Sequence, residues 1–304
     1  MGSSSDVVAV YGLTRTFGAQ RGITDVTFEV RRGEVFGFLG PNGAGKSTTI
    51  RLLLGLYRAD SGSMSVLGHD PARDAVALHA AVGYLPGELS LYPRLTGRQH
   101  LTVVSRSRRL ADHTLRDELV ERFGVELDRP IHTLSKGNRQ KIGIVVAFMH
   151  RPELLILDEP TSGLDPLLQD EFATLVREST DRGATVFLSS HELDEVQRLV
   201  DRVAIIRSGR IVVTDTIESL RSAAPRRIVF GFGDAVDVAR FGAIEGVEIT
   251  EVQERSVQLS VSGPVAPVLR VAADLGAIDV TARPADLDEL FLRYYREDGT
   301  GEPG

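Results

Sequence analysis

The N-terminal part of the chain changes its hydrophobic pattern once, near residue 46. Residues 6–39 contain short runs rich in β-branched and apolar residues, such as VTFEV and VFGFLG, joined by the turn RRGE. This pattern predicts strands. From Lys46 onward, KSTTIRLLLGL carries apolar residues at helical spacing. We therefore expect a helix that begins near Lys46 and ends near Gly55, since glycine often follows the last residue of a helix.

The middle of the chain alternates helical segments with short apolar runs. Residues 96–150 are predicted to be mostly helical, and Thr96 with Gln99 has the spacing of a capping box. LLILD and ATVFLSS are continuous apolar runs, as expected for strands buried on both faces of a parallel sheet. Helical sequence follows the second run. This alternation predicts an α/β domain.

The C-terminal part has a different order of elements. RSAAPRR, at residues 221–227, is a predicted linker. Beyond it, four strand-like and two helix-like runs occur in the order β-α-β-β-α-β, the order of a small ferredoxin-like unit. We expect the α/β domain to occupy residues 6–220 and a small α+β domain to occupy residues 226–296, ending in the helix DLDELFLRYY. The polar tail, residues 297–304, is predicted to be disordered.

Composition narrows the class of protein. The 304 residues are 42% hydrophobic and 25% charged, which is ordinary for a globular protein. A net charge of −7 argues against a nucleic-acid partner, because phosphate backbones select clustered Lys and Arg. The absence of cysteine excludes disulfides and thiolate metal sites. No signal peptide is expected, since MGSSSDVV has no basic segment followed by an apolar one. The longest apolar run, IGIVVAFM, is far shorter than the roughly 20 residues of a membrane span.

The strongest chemical signal is GPNGAGKSTT, which follows a predicted strand and opens a predicted helix. It fits the pattern G-x-x-x-x-G-K-[ST] of a phosphate-binding loop. Its glycines let successive backbone N–H groups point at one anion, and the helix N-terminus adds the positive end of its dipole. Lys46 is expected to reach the β- and γ-phosphates of a nucleoside triphosphate, and Ser47 to bind Mg²⁺. The expected nucleotide-binding residues of the loop are Gly40, Pro41, Asn42, Gly43, Ala44, Gly45, Lys46, Ser47 and Thr48.

Four further stretches follow this loop in a fixed order: TLSKGNRQ, LLILDEP, SGLD and SSHELDE. Together with the loop, they resemble the ATP-binding subunit of an ABC transporter over about residues 7–220. The resemblance implies a P-loop NTPase cassette with a RecA-like core, an antiparallel β subdomain and a helical subdomain at about residues 88–150. It also implies ATP and Mg²⁺ as cofactors and ATP hydrolysis as the activity.

Two adjacent carboxylates, Asp158 and Glu159, end the apolar run LLILD. An uncompensated charge is costly at the end of a buried strand, and a metal ion bound to the nucleotide would balance Asp158. Glu159 would face the γ-phosphate and polarise an attacking water. The resemblance implies the same two roles and makes His191 a contact of the γ-phosphate. We therefore expect Glu159, His191 and Lys46 to be catalytic, and Ser47 and Asp158 to hold the metal.

The remaining expected nucleotide contacts rest on the resemblance. LSKGN is similar to the family signature LSGGQ, in which Ser135 and Gly137 would bind the γ-phosphate of a nucleotide held by the opposite subunit. Lys136 stands at the third position of that signature, where the family has its first glycine. Asp165, in SGLD, is implied to cross the dimer interface. Phe17 takes the position of the aromatic residue that stacks on adenine, which needs only a π face.

One residue of the family pattern is missing. The family has a glutamine in a context such as GYLPQ, whereas this chain has GYLPGE. Gly87 has no side chain with which to bind Mg²⁺ or to relay movement to a membrane partner. We hypothesise that the next residue, Glu88, takes the metal role; the alternative is a solvated loop carboxylate.

A signature that serves the opposite subunit implies a dimer with a second ATP-binding subunit, either another copy or a homologue. The cassette followed by a short appendage ending in DLDELFLRYY resembles the ATPases of ABC-2-type exporters, including the daunorubicin-type antibiotic-resistance group. We therefore expect an ATPase at the cytoplasmic face of the membrane that powers an ABC-2-type permease and exports drugs, antibiotics or lipids. The sequence does not name the substrate.

Two alternative functions stay open. Importer ATPases also carry C-terminal α/β domains, some of which bind regulatory ligands. Other ABC ATPases act in translation or DNA repair. Translation factors usually contain two cassettes and repair proteins contain long insertions, whereas this chain has one phosphate-binding loop and one LSKGN. These features and the acidic charge disfavour the non-transport functions.

Overall fold

The computed structural model of the protein describes residues 6–18, 20–235 and 237–282. The predicted helix DLDELFLRYY and the tail at residues 297–304 lie outside this part of the chain. In chain order the strands are β1 (Asp6–Phe17), β2 (Gln20–Arg31), β3 (Val35–Leu39), β4 (Ser61–Val66), β5 (Val82–Leu85), β6 (Leu154–Asp158), β7 (Thr185–Ser190), β8 (Arg202–Arg207), β9 (Arg210–Thr216), β10 (Arg226–Phe232), β11 (Val247–Gln253), β12 (Ser256–Val261) and β13 (Ala277–Ala282). The helices are α1 (Lys46–Leu53), α2 (Ala75–Ala81), α3 (Gly97–Ser107), α4 (Thr114–Arg122), α5 (Lys136–Phe148), α6 (Pro166–Asp181), α7 (Leu193–Leu199), α8 (Ile217–Ala223), α9 (Ala239–Gly242) and α10 (Ala266–Asp274), with a short 3-10 helix at Ile131–Thr133.

The chain divides into two compact units, Met1–Asp215 and Thr216–Gly304. The first unit thus ends five residues before position 220, where the sequence places the end of the α/β domain. The segment predicted as a linker, residues 221–227, contains the last residues of α8 and the first residues of β10.

The first unit is built on a six-stranded sheet with the order β5-β6-β7-β3-β8-β9. The five strands from β5 to β8 in this order are parallel. Strands β3, β6 and β7 are buried at every position, which confirms the prediction from their continuous apolar sequence. Because parallel strands end at the same edge, the segments after β3, β6 and β7 meet there.

A second sheet in this unit has the order β2-β1-β4, and its pairs are antiparallel. Phe28 of β2 packs against the rings of Phe36, Phe38 and Phe187 from the parallel sheet, with centroids 5.4–5.8 Å apart. Aromatic pairs at this separation add stabilising free energy beyond that expected from the apolar area they bury. The two sheets therefore share one apolar core, which holds β3 firmly beneath the loop that follows it.

The segment between β5 and β6 is helical, as predicted. Thr96 caps α3 by accepting a hydrogen bond from the N–H of Gln99, whose side chain accepts one from the N–H of Thr96, so the capping box is confirmed. Arg122, in α4, forms ion pairs with Glu171 and Glu178 of α6. These ion pairs join the helical segment to the core of the unit. Among the helices of the described residues, none is both long and apolar enough to cross a bilayer.

The second unit contains an antiparallel four-stranded sheet with the order β11-β12-β10-β13. The predicted order of strands and helices is confirmed within residues 226–282. Its apolar core includes Phe230 and Phe241, whose rings stack with centroids 5.8 Å apart. Helix α9 has four residues and ends at Gly242, shortly before the left-handed turn at Gly246.

Candidate functional site

The glycine-rich loop lies between β3 and α1, at the edge where the parallel strands end. The N–H of Gly40 donates to the carbonyl of Ser190 at 3.3 Å, so the loop is joined to the end of β7. A Cβ at Gly40 would lie 2.3 Å from the carbonyl oxygen of Ile206, so only glycine fits. Gly45 has φ of 114°, in the left-handed region that favours glycine. This backbone turns the loop into the N-terminus of α1, where free N–H groups favour an anion.

Lys46 is buried, with 6% of its side chain exposed. Its ammonium group donates to the carbonyl of Gly40 at 2.6 Å and to that of Pro41 at 3.4 Å. It also lies 3.4 Å from Oε1 of Glu159. A buried ammonium needs such partners, since an unpaired charge is costly in the interior. The charge of Lys46 is therefore held at the mouth of the loop, beside the end of β6.

Asp158 is the last residue of β6 and is buried. Its Oδ2 accepts a hydrogen bond from Ser47 Oγ at 3.2 Å, and its Oδ1 accepts one from Ser189 Oγ. The carboxylate thus connects the first turn of α1 with the end of β7. Sequence reasoning did not single out Ser189. Its position in the run SSH, at the end of an apolar strand, is the signal that could have found it.

Glu159 and His191 meet directly. His191 Nδ1 contacts Glu159 Oε2, while the other carboxylate oxygen faces Lys46. Glu159 has φ of 51°, which is uncommon for a residue other than glycine. Its N–H donates to the carbonyl of Ser189 at 3.0 Å, and its carbonyl accepts from the N–H of Ser162 at 3.2 Å. These bonds hold the turn, so the Glu159 side chain points away from the strand and towards Lys46.

A cavity of about 550 Å³ lies above this cluster. Its polar lining can surround phosphate groups, because it combines one ammonium group with free backbone N–H groups at the helix N-terminus. The predicted site residues that line it are Pro41, Asn42, Gly43, Gly45, Lys46, Ser47, Thr48, Glu88, Asp158 and Glu159.

Four lining residues were not singled out from the sequence: Arg51, Tyr84, Pro86 and Ser162. Burial and, to a smaller extent, the charge of Asp158 raise the pKa of Tyr84 to about 12, and Arg51 opposes the shift. Tyr84 therefore keeps its proton at neutral pH. It belongs to GYLP, beside the position of the missing glutamine, so the family context could have found it. Arg51 lies one turn beyond Ser47 on α1, and helical spacing was its signal.

The region of the missing glutamine faces Asp158. A Cβ at Gly87 would lie 3.4–3.5 Å from the carbonyl and carboxylate of Asp158, which is ordinary van der Waals contact. A longer side chain at this position would thus reach the carboxylate. Glu88, the next residue, is exposed and lines the cavity.

Oxygen ligands suited to a magnesium ion lie at the cavity. Among the described residues, no group of three or more His, Asp and Glu side chains is arranged to hold a metal ion. Ser47 Oγ and Asp158 Oδ2 nevertheless lie together at the cavity. Mg²⁺ typically takes one or two protein oxygens and completes its coordination with water and substrate phosphates. These residues therefore fit a magnesium ion that arrives with a nucleotide.

The signature residues are placed outside the cavity lining. Ser135 is the N-cap of α5 and accepts a hydrogen bond from the N–H of Asn138 at 3.1 Å. A Cβ at Gly137 would lie 2.7 Å from the carbonyl oxygen of Gly163, so the helix packs closely on that segment. Lys136 donates to Ser162 Oγ at 2.7 Å across the same contact.

Asp165 and Phe17 also lie outside that lining. Asp165 is the N-cap of α6 and accepts from the N–H of Leu168 at 3.0 Å. Phe17 packs edge-on against Tyr57, with ring centroids 5.4 Å apart, and the Arg15 guanidinium lies over its ring at 4.9 Å. The structure therefore brings the loop, Asp158, Glu159 and His191 together beside the cavity that Glu88 also lines. Ser135, Gly137, Asp165 and Phe17 lie outside the lining of this cavity.

Comparison with known proteins gives consistent results. The family described as ABC transporter matches residues 23–162. The daunorubicin resistance ATP-binding protein DrrA3 of Streptomyces coeruleorubidus is 33% identical, over 96% of each chain. The bacitracin transport ATP-binding protein BcrA of Bacillus licheniformis is 34% identical, over 76% of each chain. A solved ATP-binding subunit of an ABC transporter is 33% identical, with a TM-score of 0.66, over 71% of this chain and 92% of that one.

Proposed function

This chain belongs to the family of ATP-binding subunits of ABC transporters, which are ATPases, and we propose that it powers the export of a drug, antibiotic or lipid. In this proposal a separate ABC-2-type permease forms the path across the membrane, and the chain works at the cytoplasmic face. Support comes from relatives named for resistance to daunorubicin and transport of bacitracin. The first of them covers the second unit as well as the cassette.

The observation that carries the enzymatic part is the meeting of Lys46, Glu159 and His191 beside the glycine-rich loop. Lys46 would bind the β- and γ-phosphates and stabilise their charge during transfer to water. Glu159 would orient the attacking water and accept its proton. His191 would hold the Glu159 carboxylate through Oε2 and contact the γ-phosphate.

Ser47 and Asp158 would hold a magnesium ion together with the phosphates. The bound ion would supply Lewis-acid stabilisation of the phosphate oxygens. We propose that Glu88 adds a metal or water contact in place of the missing glutamine, because it lines the cavity and its neighbour Gly87 faces Asp158. Replacing Glu88 with Ala should raise the Mg²⁺ concentration needed for half-maximal turnover. Unchanged Mg²⁺-dependent turnover and transport in this variant would contradict the role.

A two-fold dimer would complete the site. Ser135, Gly137 and Asp165 lie outside the cavity lining, and their segments, which pack together through Gly137 and Gly163, would face the nucleotide of a second subunit. One patch that serves the opposite site in both copies gives an isologous pair with two ATP molecules. Phe17 would stack on each adenine ring.

The helical subdomain, about residues 88–150, would contact the permease and pass on the movement that accompanies hydrolysis. We propose that the second unit is a ferredoxin-like domain. Its antiparallel sheet with order β13-β10-β12-β11 supports this, since the first strand lies between the third and the fourth.

Purification from native membranes in mild detergent, followed by mass spectrometry, tests the transport function. Export predicts that the tagged protein recovers a polytopic membrane protein and no solute-binding protein. An untagged strain is the matched control for background. Recovery of a permease with a solute-binding protein would change the conclusion to import. Recovery of ribosomes or DNA-repair proteins without a membrane protein would overturn the transport function.

A further inference from the structure

Glu195, in α7, has a partly buried carboxyl group that has no role in the proposed hydrolysis. Its Oε2 accepts a hydrogen bond from Ser190 Oγ at 2.5 Å. Its other oxygen, Oε1, is buried and has no hydrogen-bond partner within the part of the chain that the structure describes. A buried carboxylate with one unsatisfied oxygen is costly, so its presence needs a reason.

The Ser190 hydroxyl closes the turn that carries His191. The N–H of Glu192 donates to Ser190 Oγ at 3.0 Å, and the same hydroxyl bonds the Glu195 carboxyl. The backbone of Ser190 also accepts from Gly40 in the glycine-rich loop. The turn that carries His191 is therefore held by hydrogen bonds of Ser190 Oγ to the Glu192 N–H and to the Glu195 carboxyl group.

Glu195 also reaches the segment that follows Glu159. The buried side chain of Thr161 lies near its carboxyl group and lowers the pKa of that group. Thr161 lies two residues after Glu159, and its carbonyl accepts from the N–H of Leu164 at 3.0 Å. The carboxyl group is thus bonded to the turn that carries His191 and lies near the segment that follows Glu159.

The charge state of this group is set by its surroundings. Burial raises the pKa of Glu195 from its ordinary value of 4.5 to about 7, and the hydrogen bond from Ser190 and the nearby Thr161 side chain oppose the shift. The charged groups that act on it are two carboxylates, Glu192 and Glu159, and both raise the pKa. The group is therefore mostly neutral below pH 7, and it becomes a buried anion near Glu159 above it.

We propose that Glu195 is a positioning residue for ATP hydrolysis, which holds the His191 turn against the Thr161 segment so that His191 and Glu159 stay in contact. The neutral acid does this best, because it adds no repulsion to the Glu159 carboxylate. Ionisation adds that repulsion and weakens the contact between the His191 turn and the Thr161 segment. The inference rests on the proposed roles of Glu159 and His191 in hydrolysis.

The test is steady-state ATP hydrolysis by the full-length protein at saturating MgATP, measured from about pH 6 to about pH 9. Glu195→Gln keeps the shape of the neutral acid and cannot ionise. It should keep the wild-type kcat at the acidic end and lose the fall in kcat that accompanies ionisation of Glu195 in the wild type. Glu195→Ala should lower kcat roughly 10- to 100-fold, with KM changed less than about 2-fold, because a misplaced catalytic group costs rate and not binding.

Asp181→Asn, which removes an exposed carboxylate at the end of α6, is the matched control and should behave as wild type. MgADP affinity, measured by calorimetry, should be the same for all variants. An unchanged pH profile in Glu195→Gln, or a wild-type kcat in Glu195→Ala, would overturn the inference. The Gln variant keeps the test decisive if the Ala variant does not fold. If Glu159→Gln hydrolyses ATP normally, the proposed function itself fails; if only the Glu195 variants are normal, this inference alone fails.

Discussion

The two units of the molecule differ in what they bury. The first unit buries charged and hydroxyl side chains at the carboxyl ends of its parallel strands, among them Lys46, Asp158, Ser189 and Ser190. In the described part of the second unit, Ser260 is the one polar side chain that is buried, and the core is apolar. Both units have a sheet covered by helices, so the architecture alone does not account for this difference.

The difference shows where the chemistry of the protein lies. Burying a charge is costly unless it is paired. At the cavity, Lys46 pairs with Glu159, and Asp158 accepts a hydrogen bond from Ser47. Such an arrangement stabilises a fold less than apolar residues of the same size would. The second unit avoids this desolvation cost, because its core around Phe230 and Phe241 is apolar. Substitutions in the two units should therefore have different consequences.

Replacing Lys46 with Ala should have the largest effect. The change removes the ammonium group from the mouth of the loop and leaves the phosphates without their main protein charge. We expect ATP turnover to fall at least about 100-fold, as for other losses of a preorganised charge. Lys141→Ala, which removes an amine that donates to the Gly124 carbonyl at 3.5 Å, is the control. Turnover within about 2-fold of wild type in Lys46→Ala would refute the assignment of the chemistry to this cluster.

Replacing Phe230 with Ala should affect stability and leave the chemistry unchanged. Loss of this buried ring should lower the free energy of unfolding of the second unit by about 3–5 kcal/mol. Hydrogen exchange of the amides in β10 and β12 measures this change. ATP turnover should stay within about 2-fold of wild type, because the Lys46 cluster lies in the first unit. A large loss of turnover, with the amides of the first unit still protected from exchange, would contradict the assignment of the chemistry to the first unit alone.

Replacing Phe17 with Ala should have the smallest effect. The proposed stacking on adenine is worth about 0.5–1.5 kcal/mol, so the KM for ATP should rise roughly 2- to 12-fold. Phe17→Tyr keeps the ring and should keep the wild-type KM. The two variants should have the same kcat, because the proposed contact of the ring is with adenine and not with the phosphates. An unchanged KM in Phe17→Ala would remove this residue from the site.

Local sequence predicted much of the fold and of the site. The apolar run LLILD predicted the buried strand β6, and the capping box predicted the first residues of α3. The glycine-rich loop predicted a helix that begins at Lys46, because its pattern includes the strand before it and the helix after it. Each of these predictions depends on residues that are close together in the chain.

Contacts between distant residues were harder to predict. The bond between Ser189 and Asp158 depends on β6 and β7 being neighbours, which no short motif specifies. Arg122 of α4 pairs with Glu171 and Glu178 of α6. The sequence around Arg122 does not distinguish it from a solvated arginine. The partial burial of Glu195 had no local signal either, since a glutamate on a short helix is usually exposed. These features follow from packing, and the structure was needed to find them.

The most direct test of the central claim uses Glu159→Gln, which keeps the size of the side chain and removes the proposed base. The account predicts that this variant still binds MgATP, hydrolyses it at least about 100-fold more slowly, and accumulates as an ATP-bound dimer. Turnover and the mass of the complex with MgATP, measured by size-exclusion chromatography with light scattering, give both answers from one preparation. A variant that hydrolyses ATP at the wild-type rate would contradict the account, because the Lys46–Glu159–His191 cluster would then not be the site of hydrolysis.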